Sequence, residues 1–452
     1  MNIIVAGCGK IGTSVISRLV LEGHDVVAVD ESADVITEVT NIYDIMGVTG
    51  NAADCDTLSE AGAQNADMFV AMMDSDELNM LSCLMAKRLG VQNTIARIRN
   101  PEYNDESLGF MTKNLEISMS INPELLTAAE LYNILKFPSA VRIESFSRRS
   151  LQLMEILLAE DSELCGTKLL KFREKFGANV LVCCVQRGGE VYIPGGNFEL
   201  QAGDRVGFIG SPPELYKLFK ELGISRKRAK NTMILGASRI AYYLARAITS
   251  VGNSAKVIEI DPQKCEEFAD ALPKASVILG DGIKQELLFE EGLATADAFV
   301  SLTGLDEANI LTALFAGMQN VPKVIAKINS DELASMAGKI GVDTIVSPKN
   351  ITSDVVVKYA RALQNSFGSN VETLYKLMEG NVEALEFIVK ADSKVTNVPL
   401  KDLKFKKGIL IGGIMRDKKT IIPGGLDEIK VGDRIVVIAS DIMLNDLADI
   451  LK

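Results

Sequence analysis

A glycine-rich loop and one acidic residue have the types and spacing needed to bind a phosphate-containing ligand. The loop reads Gly7, Cys8, Gly9, Lys10, Ile11 and Gly12, which is the pattern G-x-G-x-x-G. In this pattern Gly7 permits a tight turn, Gly9 lets the backbone approach a pyrophosphate, and Gly12 lets helix and strand pack closely. Asp30 is placed to accept hydrogen bonds from ribose hydroxyls and to repel a 2′-phosphate.

The elements around the loop occur in the order that a dinucleotide site requires. The β-forming run 3–6 precedes it, and a helical pattern follows with Ile11, Val15 and Leu19 at 3.6-residue spacing. A second apolar run, 26–29, then ends at Asp30. The free N–H groups and positive dipole end of such a helix attract phosphates, so we interpret this stretch as a nucleotide site rather than a plain βα turn.

Composition excludes several classes of function. The chain has 452 residues, 47% apolar and 24% charged, and no apolar run approaches the ~18 residues that cross a bilayer. The seven cysteines form no C-x-x-C and have only His24 as a possible histidine partner, so we expect free thiols, a reducing compartment and no metal site. The net charge of −12 makes nucleic acid an improbable partner, because phosphate backbones require concentrated positive charge.

The chain is a tandem duplication. Gly7 corresponds to Gly236 and Asp30 to Glu259, since 236 − 7 and 259 − 30 both give 229. The motif Asp76-Glu77-x-Asn79 returns as Asp306-Glu307-x-Asn309. We interpret both copies as the capped and charged first turn of a helix, and Asp54 as another cap.

Each repeat divides into two domains. Strand patterns at 2–6, 25–29, 44–48, 67–72, 94–98 and near 117 alternate with helical ones, including 122–136, and predict a doubly wound parallel sheet. Strand-like runs at 153–158, 179–185 and 205–209, with helices at 167–175 and 212–222, predict a small α+β domain. The expected domains are 1–138, 139–224, 231–366 and 367–452. The basic stretch 225–230 is interpreted as a solvated linker, with an acidic or membrane docking strip as the alternative.

Two further repeated motifs complete a resemblance to a known family. Pro194-Gly195-Gly196 returns as Pro423-Gly424-Gly425, and Gly203-Asp204-Arg205 returns as Gly432-Asp433-Arg434. Two nucleotide-binding units, each followed by a small domain with these motifs, resemble the RCK (regulator of potassium conductance) modules. The resemblance implies an α/β fold with RCK-N and RCK-C domains duplicated in tandem. It also implies a cytoplasmic protein, peripheral on the inner face of the membrane, that binds NAD, assembles into a homo-oligomeric ring, expected to be a tetramer, and contacts a potassium transporter.

The resemblance also implies two sets of site residues. In the first repeat these are the loop Gly7–Gly12 at the phosphates, Asp30 at the ribose, Asn51 and Ala52 beside the adenine, Met73 and Asp74 along the cleft, and Arg97 facing the phosphates. In the second repeat they are Gly236, Ala237, Ser238, Arg239, Ile240, Glu259, Asp281, Thr303, Gly304 and Lys327. Met73 stands where the family often has a small polar residue. Ser238 crowds the pyrophosphate approach, so the second site is either occupied or has kept the fold and lost tight binding.

The expected function is nucleotide sensing without catalysis. NAD(H) or ATP/ADP would bind the first cleft and shift a regulatory equilibrium of a potassium transporter. A dehydrogenase is the alternative, but it needs a proton donor or acceptor beside the nicotinamide, and His24 lies in the turn before the second strand. A scaffold with vestigial sites is the third hypothesis. The sequence alone does not decide between NAD(H) and ATP/ADP, since both present the same unphosphorylated ribose to Asp30.

Overall fold

Four β-sheets, two parallel and two antiparallel, organise the residues that this computed structural model describes. The described residues are 1–101, 103, 105–136, 142–146, 150–222, 229–342, 344–366, 371–417, 419–440, 442, 444 and 446–452. Residues 225–228 of the basic stretch therefore lie outside them.

The first parallel sheet confirms the predicted doubly wound fold. Its strands are β1 (Asn2–Ala6), β2 (Asp25–Asp30), β3 (Met46–Thr49), β4 (Met68–Ala71), β5 (Asn93–Arg97) and β6 (Met119–Ile121). They lie in the order β3-β2-β1-β4-β5-β6. The order reverses at β1, where Ala6 pairs with Val29 on one side and Ala71 on the other. Ligands of open α/β sheets bind at this switch point, beyond the carboxyl ends of the strands.

Helices connect the strands of this sheet. They are α1 (Lys10–Leu21), α2 (Ala33–Tyr43), α3 (Cys55–Glu60), α4 (Asp76–Leu89), α5 (Asp105–Asn114) and α6 (Pro123–Lys136). Helix α1 buries Gly12, Val15, Ile16 and Leu19, whereas Ile11 of the predicted stripe is only half-buried. Asp54 caps α3 as predicted, because its carboxylate accepts from the amide of Thr57.

The cap predicted for α4 is wrong. Ser75, not Asp76, is the N-cap, and its hydroxyl accepts from the amide of Leu78. The carboxylate of Asp76 instead accepts from the amides of Arg99 and Asn100 after β5, at 2.8 and 2.7 Å. Asp76 therefore ties the start of α4 to the neighbouring loop of the cleft.

The second parallel sheet repeats the first. Its strands are β12 (Asn231–Leu235), β13 (Ser254–Glu259), β14 (Ser276–Leu279), β15 (Ala298–Ser301), β16 (Lys323–Lys327) and β17 (Thr344–Val346). They lie in the order β14-β13-β12-β15-β16-β17. Its helices are α9 (Arg239–Ser250), α10 (Pro262–Ala271), α11 (Gln285–Glu290), α12 (Asp306–Met318), α13 (Asp331–Lys339) and α14 (Pro348–Ser366).

The first antiparallel sheet forms the smaller domain of the first repeat. Its strands are β7 (Arg142–Phe146), β8 (Leu151–Leu157), β9 (Val180–Arg187), β10 (Glu190–Tyr192) and β11 (Arg205–Gly210), with α7 (Phe172–Phe176) and α8 (Pro212–Glu221). The sequence patterns located β8, β9 and β11 but missed β7 and β10, which are short edge strands. In the Gly-Asp-Arg motif, the buried carboxylate of Asp204 accepts two 2.7 Å hydrogen bonds from Arg187, which fixes the turn before β11.

The second antiparallel sheet repeats this plan. Its strands are β18 (Val371–Leu377), β19 (Val382–Ile388), β20 (Ile409–Arg416), β21 (Lys419–Ile421) and β22 (Arg434–Ser440). Asp433 accepts two 2.7–2.8 Å bonds from Arg416, as Asp204 does from Arg187. The two antiparallel sheets share an apolar cluster that includes Phe146 and Leu151 from the first.

The chain forms two compact units, each built from both repeats. Residues 1–132 and 231–360 make up the unit with the two parallel sheets, and residues 133–230 and 361–452 make up the unit with the two antiparallel sheets. None of the described helices has both the length and the apolar character required to span a bilayer.

Candidate functional site

The first glycine loop leaves the amide groups at the start of α1 without a side-chain partner. Gly9 is the N-cap of α1 and has no side chain to accept from them. The next turn closes normally, with the amide of Thr13 donating to the carbonyl of Gly9 at 2.9 Å. Unpaired amides at a helix N-terminus form a site for an anion, such as a phosphate or carboxylate group.

Each glycine of the loop has a distinct steric role. Gly7 has φ +88°, and a Cβ atom there would lie 2.7 Å from the backbone nitrogen of Met73. A Cβ atom on Gly12 would lie 1.8 Å from the carbonyl oxygen of Gly7, so the first turn of α1 packs directly on the loop. A Cβ atom on Gly9 would meet nothing within 4 Å. Gly9 therefore borders open space, where a ligand can approach the backbone.

Asp30 is held beside the loop by backbone amides. Its Oδ2 accepts from the amide of Cys8 at 2.7 Å, and its Oδ1 accepts from the amide of Ser32 at 3.0 Å. Each carboxylate oxygen has a second lone pair and is thus able to accept from a ribose hydroxyl as well. Burial, with the nearby charge of Asp30, raises the pKa of the Cys8 thiol to about 12, so this thiol stays protonated.

Asn79 of α4 holds the far side of the cleft. Its amide group bonds both the N–H and the C=O of Met73, each at 2.9 Å, and also donates to the carbonyl of Arg97 at 2.9 Å. Asn79 is fully buried. The Asp-Glu-x-Asn motif thus positions two predicted site residues, a role that the sequence interpretation as a helix cap did not foresee.

Arg97, at the end of β5, is buried with its guanidinium facing the cleft. Its Nη1 donates to the carbonyls of Met72 and Met73 and lies 3.4 Å from Asp74, whose side chain is fully exposed. Its Nε has no hydrogen-bond partner within the described structure. Burial, followed by the charge of Arg99, lowers the pKa of Arg97 below its usual value. A buried cation with spare donors favours an anionic ligand.

These residues surround a cavity of about 750 Å³. Most of the predicted residues of the first site line it: Gly7, Cys8, Gly9, Lys10, Ile11, Asp30, Ala52, Met73, Asp74 and Arg97. Gly12 lies beneath the loop, and Asn51 is exposed with its side chain accepting from the amide of Ala53 at 2.8 Å. A volume of this size is within the range of natural small-molecule sites.

Two residues predicted for the second site, Ile240 and Lys327, line this same cavity. The other residues predicted for the second site do not line this cavity: Gly236, Ala237, Ser238, Arg239, Glu259, Asp281, Thr303 and Gly304. The structure therefore brings residues of both repeats to one cavity.

The second loop differs from the first at the helix start. Ser238 is the N-cap of α9, and its hydroxyl accepts from the amide of Ala241 at 3.3 Å. One of the amides that would face a phosphate is thus already paired with a side chain. Glu259 is buried, and it accepts from the amides of Ala237, Ile260 and Asp261.

Sequence reasoning missed part of the cavity wall: Val29, Glu31, Val35, Gly50, Met72, Ser75, Leu78, Pro123, Glu124, Asn329, Pro348 and Lys349. Glu31 and Gly50 follow strands of the first sheet and are next in sequence to the predicted residues Asp30 and Asn51, so their place in the wall could have been predicted. Lys349 had none, because its place depends on how the two repeats pack.

Family models of known proteins match this chain in the same two repeats, each with two domains. The TrkA-N domain model matches residues 3–118 and 232–348, and the TrkA-C domain model matches residues 153–223 and 384–452. The Trk system potassium uptake protein TrkA homolog of Archaeoglobus fulgidus is 30% identical over 97% of both chains. The Trk system potassium uptake protein TrkA of Haemophilus influenzae is 30% identical over 98% of this chain and 96% of its own.

Solved structures share the fold at lower identity. The GsuK RCK domain matches with a TM-score of 0.63 at 17% identity, covering 97% of this chain and 92% of that one. The GsuK channel bound to NAD matches with a TM-score of 0.63 at 16% identity, covering 97% and 77%. GsuK bound to ADP matches with a TM-score of 0.50 at 14% identity, covering 79% and 68%. The resemblance to RCK modules is confirmed, and the chain belongs to the TrkA family, with its TrkA-N and TrkA-C domains duplicated in tandem.

Proposed function

We propose that this chain is the regulatory, nucleotide-binding subunit of a potassium-uptake system. It binds NAD(H) or ATP/ADP in the cavity of the first repeat and gates a membrane potassium transporter in response. The observation that carries the proposal is the uncapped start of α1 beside Asp30, in a chain whose relatives are named Trk system potassium uptake proteins.

The residues present fit an adenine nucleotide. The open space at Gly9 and the unpaired amides of α1 suit a diphosphate, and the spare donors of Arg97 suit its negative charge. Asp30 suits an unphosphorylated ribose, and we assign the adenine to the wall near Ala52. GsuK, which shares the fold, has been solved with NAD and with ADP, so both ligand classes stay in the proposal.

A regulatory role is favoured over a dehydrogenase by the relatives, which are named as potassium uptake proteins. The described wall of the cavity includes no histidine and no tyrosine, and its titratable side chains are mainly lysines and carboxylates. His24 is buried at the amino end of β2, whereas Asp30 is at its carboxyl end. At ~3.3 Å per residue these ends are about 20 Å apart, so His24 is too distant to exchange a proton with a ligand beside Asp30.

The contacts of α1 provide a route for the signal between repeats. Its first turn faces the proposed phosphates, and farther along it contacts α14 through Ser14–Ser353 at 2.9 Å and Arg18–Asp354 at 2.7 Å. A ligand that favours one position of α1 therefore also favours one position of α14. A preference of about 1–3 kcal/mol is enough to change the output of such a switch.

We infer that several copies assemble into a ring, as a tetramer, at the inner face of the membrane beside the transporter. The acidic net charge of −12 argues against nucleic acid as a partner. Native mass spectrometry of the purified chain tests the assembly: a tetramer is expected, and a monomer at micromolar concentration would refute it.

Calorimetric titration of the full chain with NADH, NAD, ATP and ADP tests the binding proposal. At least one ligand should bind and should raise the unfolding free energy by ~2.7 kcal/mol at 100 times its dissociation constant. Absence of any such shift would favour a scaffold with vestigial sites. Sustained oxidation of NADH with a substrate would favour the dehydrogenase.

A further inference from the structure

The charges of the chain are divided unevenly between its two compact units. In the unit with the antiparallel sheets, residues 133–230 and 361–452, there are 30 lysines and arginines and 24 aspartates and glutamates. In the unit with the parallel sheets the corresponding numbers are 18 and 36. The two net charges, +6 and −18, together give the −12 of the chain. The antiparallel unit is therefore the one that an anionic surface would attract.

In the first repeat, some of this positive charge lies beside an exposed leucine. The short segment Leu169–Lys171 meets the Pro-Gly-Gly turn, because the amide of Leu170 donates to the carbonyl of Gly196 at 2.7 Å. We call this place the turn junction. Leu170 is 76% exposed. Lys168 and Lys171 are exposed as well, and no carboxylate oxygen lies within 4 Å of either ammonium among the described residues.

The second repeat also has an exposed leucine at its turn junction, but from a different position. The amide of Lys401 donates to the carbonyl of Gly425 at 2.9 Å, so lysine takes the place that Leu170 has in the first repeat. The leucine is now Leu426, the residue after Gly425 in the turn, and it is 77% exposed. Lys401 and Lys404 are exposed, and neither ammonium has a carboxylate oxygen within 4 Å in the part of the chain that the structure describes.

The recurrence of this combination is not explained by packing. Single exposed apolar side chains are common on protein surfaces and by themselves indicate nothing. Here the two repeats use different positions, yet each keeps one leucine and nearby lysines at the same junction. Because Leu170 and Leu426 are both largely exposed, neither contributes much to a core.

A leucine beside lysines fits an anionic lipid surface. The leucine can bury its side chain at the boundary between headgroups and acyl chains, while the lysines keep their ammonium groups beside the lipid phosphates. A nucleic acid would also attract the lysines, but its phosphate backbone offers no apolar layer in which a leucine could be buried. The observations therefore favour lipid over nucleic acid.

We propose that the antiparallel unit docks onto anionic lipid through its turn junctions, with Leu170 and Leu426 inserted at the headgroup boundary and the neighbouring lysines beside the phosphates. The inference rests on the placement at the inner face of the membrane proposed above, and it adds which surface contacts the lipid. The same lipid surface repels the parallel unit, whose net charge is −18.

Sedimentation of the full chain with lipid vesicles tests the inference without the transporter. The probes are mixed vesicles of phosphatidylglycerol and phosphatidylcholine, vesicles of phosphatidylcholine alone, and immobilised heparin as a polyanion without an apolar layer. Wild type should bind the anionic vesicles at least about tenfold more tightly than the neutral ones, because the lysines supply the attraction. Added salt should weaken this binding by screening the charges.

The apolar contribution is tested by the double variant Leu170→Gln with Leu426→Gln. Its affinity for the anionic vesicles should fall about tenfold, because glutamine gains nothing from the acyl boundary. The matched control is Leu21→Gln, which changes a leucine that is 72% exposed in the parallel unit and should leave vesicle binding unchanged.

The charged contribution is tested by the double variant Lys171→Gln with Lys404→Gln. Its affinity for the anionic vesicles should also fall about tenfold, and its binding should depend less on salt. Lys274→Gln, at an exposed position of the parallel unit, is the control and should bind as wild type does. Thermal unfolding checks that every variant folds.

Three results would overturn the inference: no binding of wild type to the anionic vesicles, unchanged binding by the leucine double variant, or retention on heparin without binding to vesicles. Calorimetric titration of the same proteins with nucleotide separates this inference from the proposed function. The leucine variant should bind nucleotide as wild type does. If wild type binds vesicles and no nucleotide, the regulatory proposal fails and lipid docking stands.

Discussion

The side-chain amide of Asn79 donates a 2.9 Å hydrogen bond to the carbonyl oxygen of Arg97, which joins the first turns of α4 to the end of β5. The second repeat contains the same link, from Asn309 to the carbonyl of Lys327 at 2.9 Å. In each repeat, one buried asparagine therefore fixes the backbone of a cationic residue that lines the cavity.

Replacing Asn79 by alanine should destabilise the protein and weaken nucleotide binding. The change removes three hydrogen bonds in a buried position, and we expect a loss of about 2–4 kcal/mol at roughly 1 kcal/mol for each bond. Urea unfolding followed by circular dichroism measures the loss. Leu81→Ala, at a half-exposed site on the same helix, is the control and should change stability by only about 0.5 kcal/mol. Equal effects of the two changes would contradict the bracing role of Asn79.

The loop glycines should respond differently to substitution. Gly9→Val places a side chain in open space with the backbone at φ −68°, so the fold should persist while nucleotide binding falls at least tenfold. Gly12→Ala places a Cβ atom against the carbonyl of Gly7 and should lower the melting temperature. Calorimetric titration and thermal unfolding of both variants measure the two effects. Normal binding by Gly9→Val would show that phosphates do not lie at this loop.

Asp30 should control the choice between unphosphorylated and 2′-phosphorylated ribose. We expect wild type to bind NADH at least tenfold more tightly than NADPH, because the carboxylate accepts from hydroxyls and repels a phosphate. Asp30→Asn should reduce this ratio, and Asp30→Ala should weaken NADH and ADP alike. Asp34→Asn, at an exposed position of α2, is the matched control. Unchanged titrations of Asp30→Ala would remove this residue from the site.

Cys8 should be unreactive despite its place in the loop. Its thiol is buried with a pKa of about 12, whereas Cys55 is exposed. At about pH 8, iodoacetamide should modify Cys55 and leave Cys8 intact, as peptide mass spectrometry will show, because only the thiolate reacts. Between pH 9.0 and about pH 12 the Cys8 thiol stays protonated in the folded state, whereas it loses its proton in the unfolded state. The contribution of Cys8 to the free energy of unfolding should therefore decrease as the pH rises through that window. Rapid modification of Cys8 would contradict this placement.

The fold was largely predictable because its signals are local. Apolar runs such as 26–29, the loop Gly7–Gly12 and the repeat offset specify the strands, the turns and the duplication without knowledge of packing. The predictions failed where several residues compete for one role. Ser75 and Asp76 are both good capping residues, and the choice between them depends on whether the amides of Arg99 and Asn100 are in reach.

Only the part of the cavity wall that the first repeat contributes was predictable from the sequence. Asp30 and Arg97 follow strands of one sheet, so their convergence follows from topology. Lys349 lies far away in sequence and reaches the cavity because α1 packs on α14. No periodicity or motif in a single repeat encodes that contact.

Fusion of the repeats into one polypeptide has a consequence for how the chain can change. In an assembly of two identical subunits, a lysine in the first turn of a helix of one subunit would occur at the same position in the other subunit. Here Glu124 and Lys349 hold opposite charges at the matching position. Covalent linkage thus allows the two repeats to carry different residues at equivalent positions, which identical subunits cannot do.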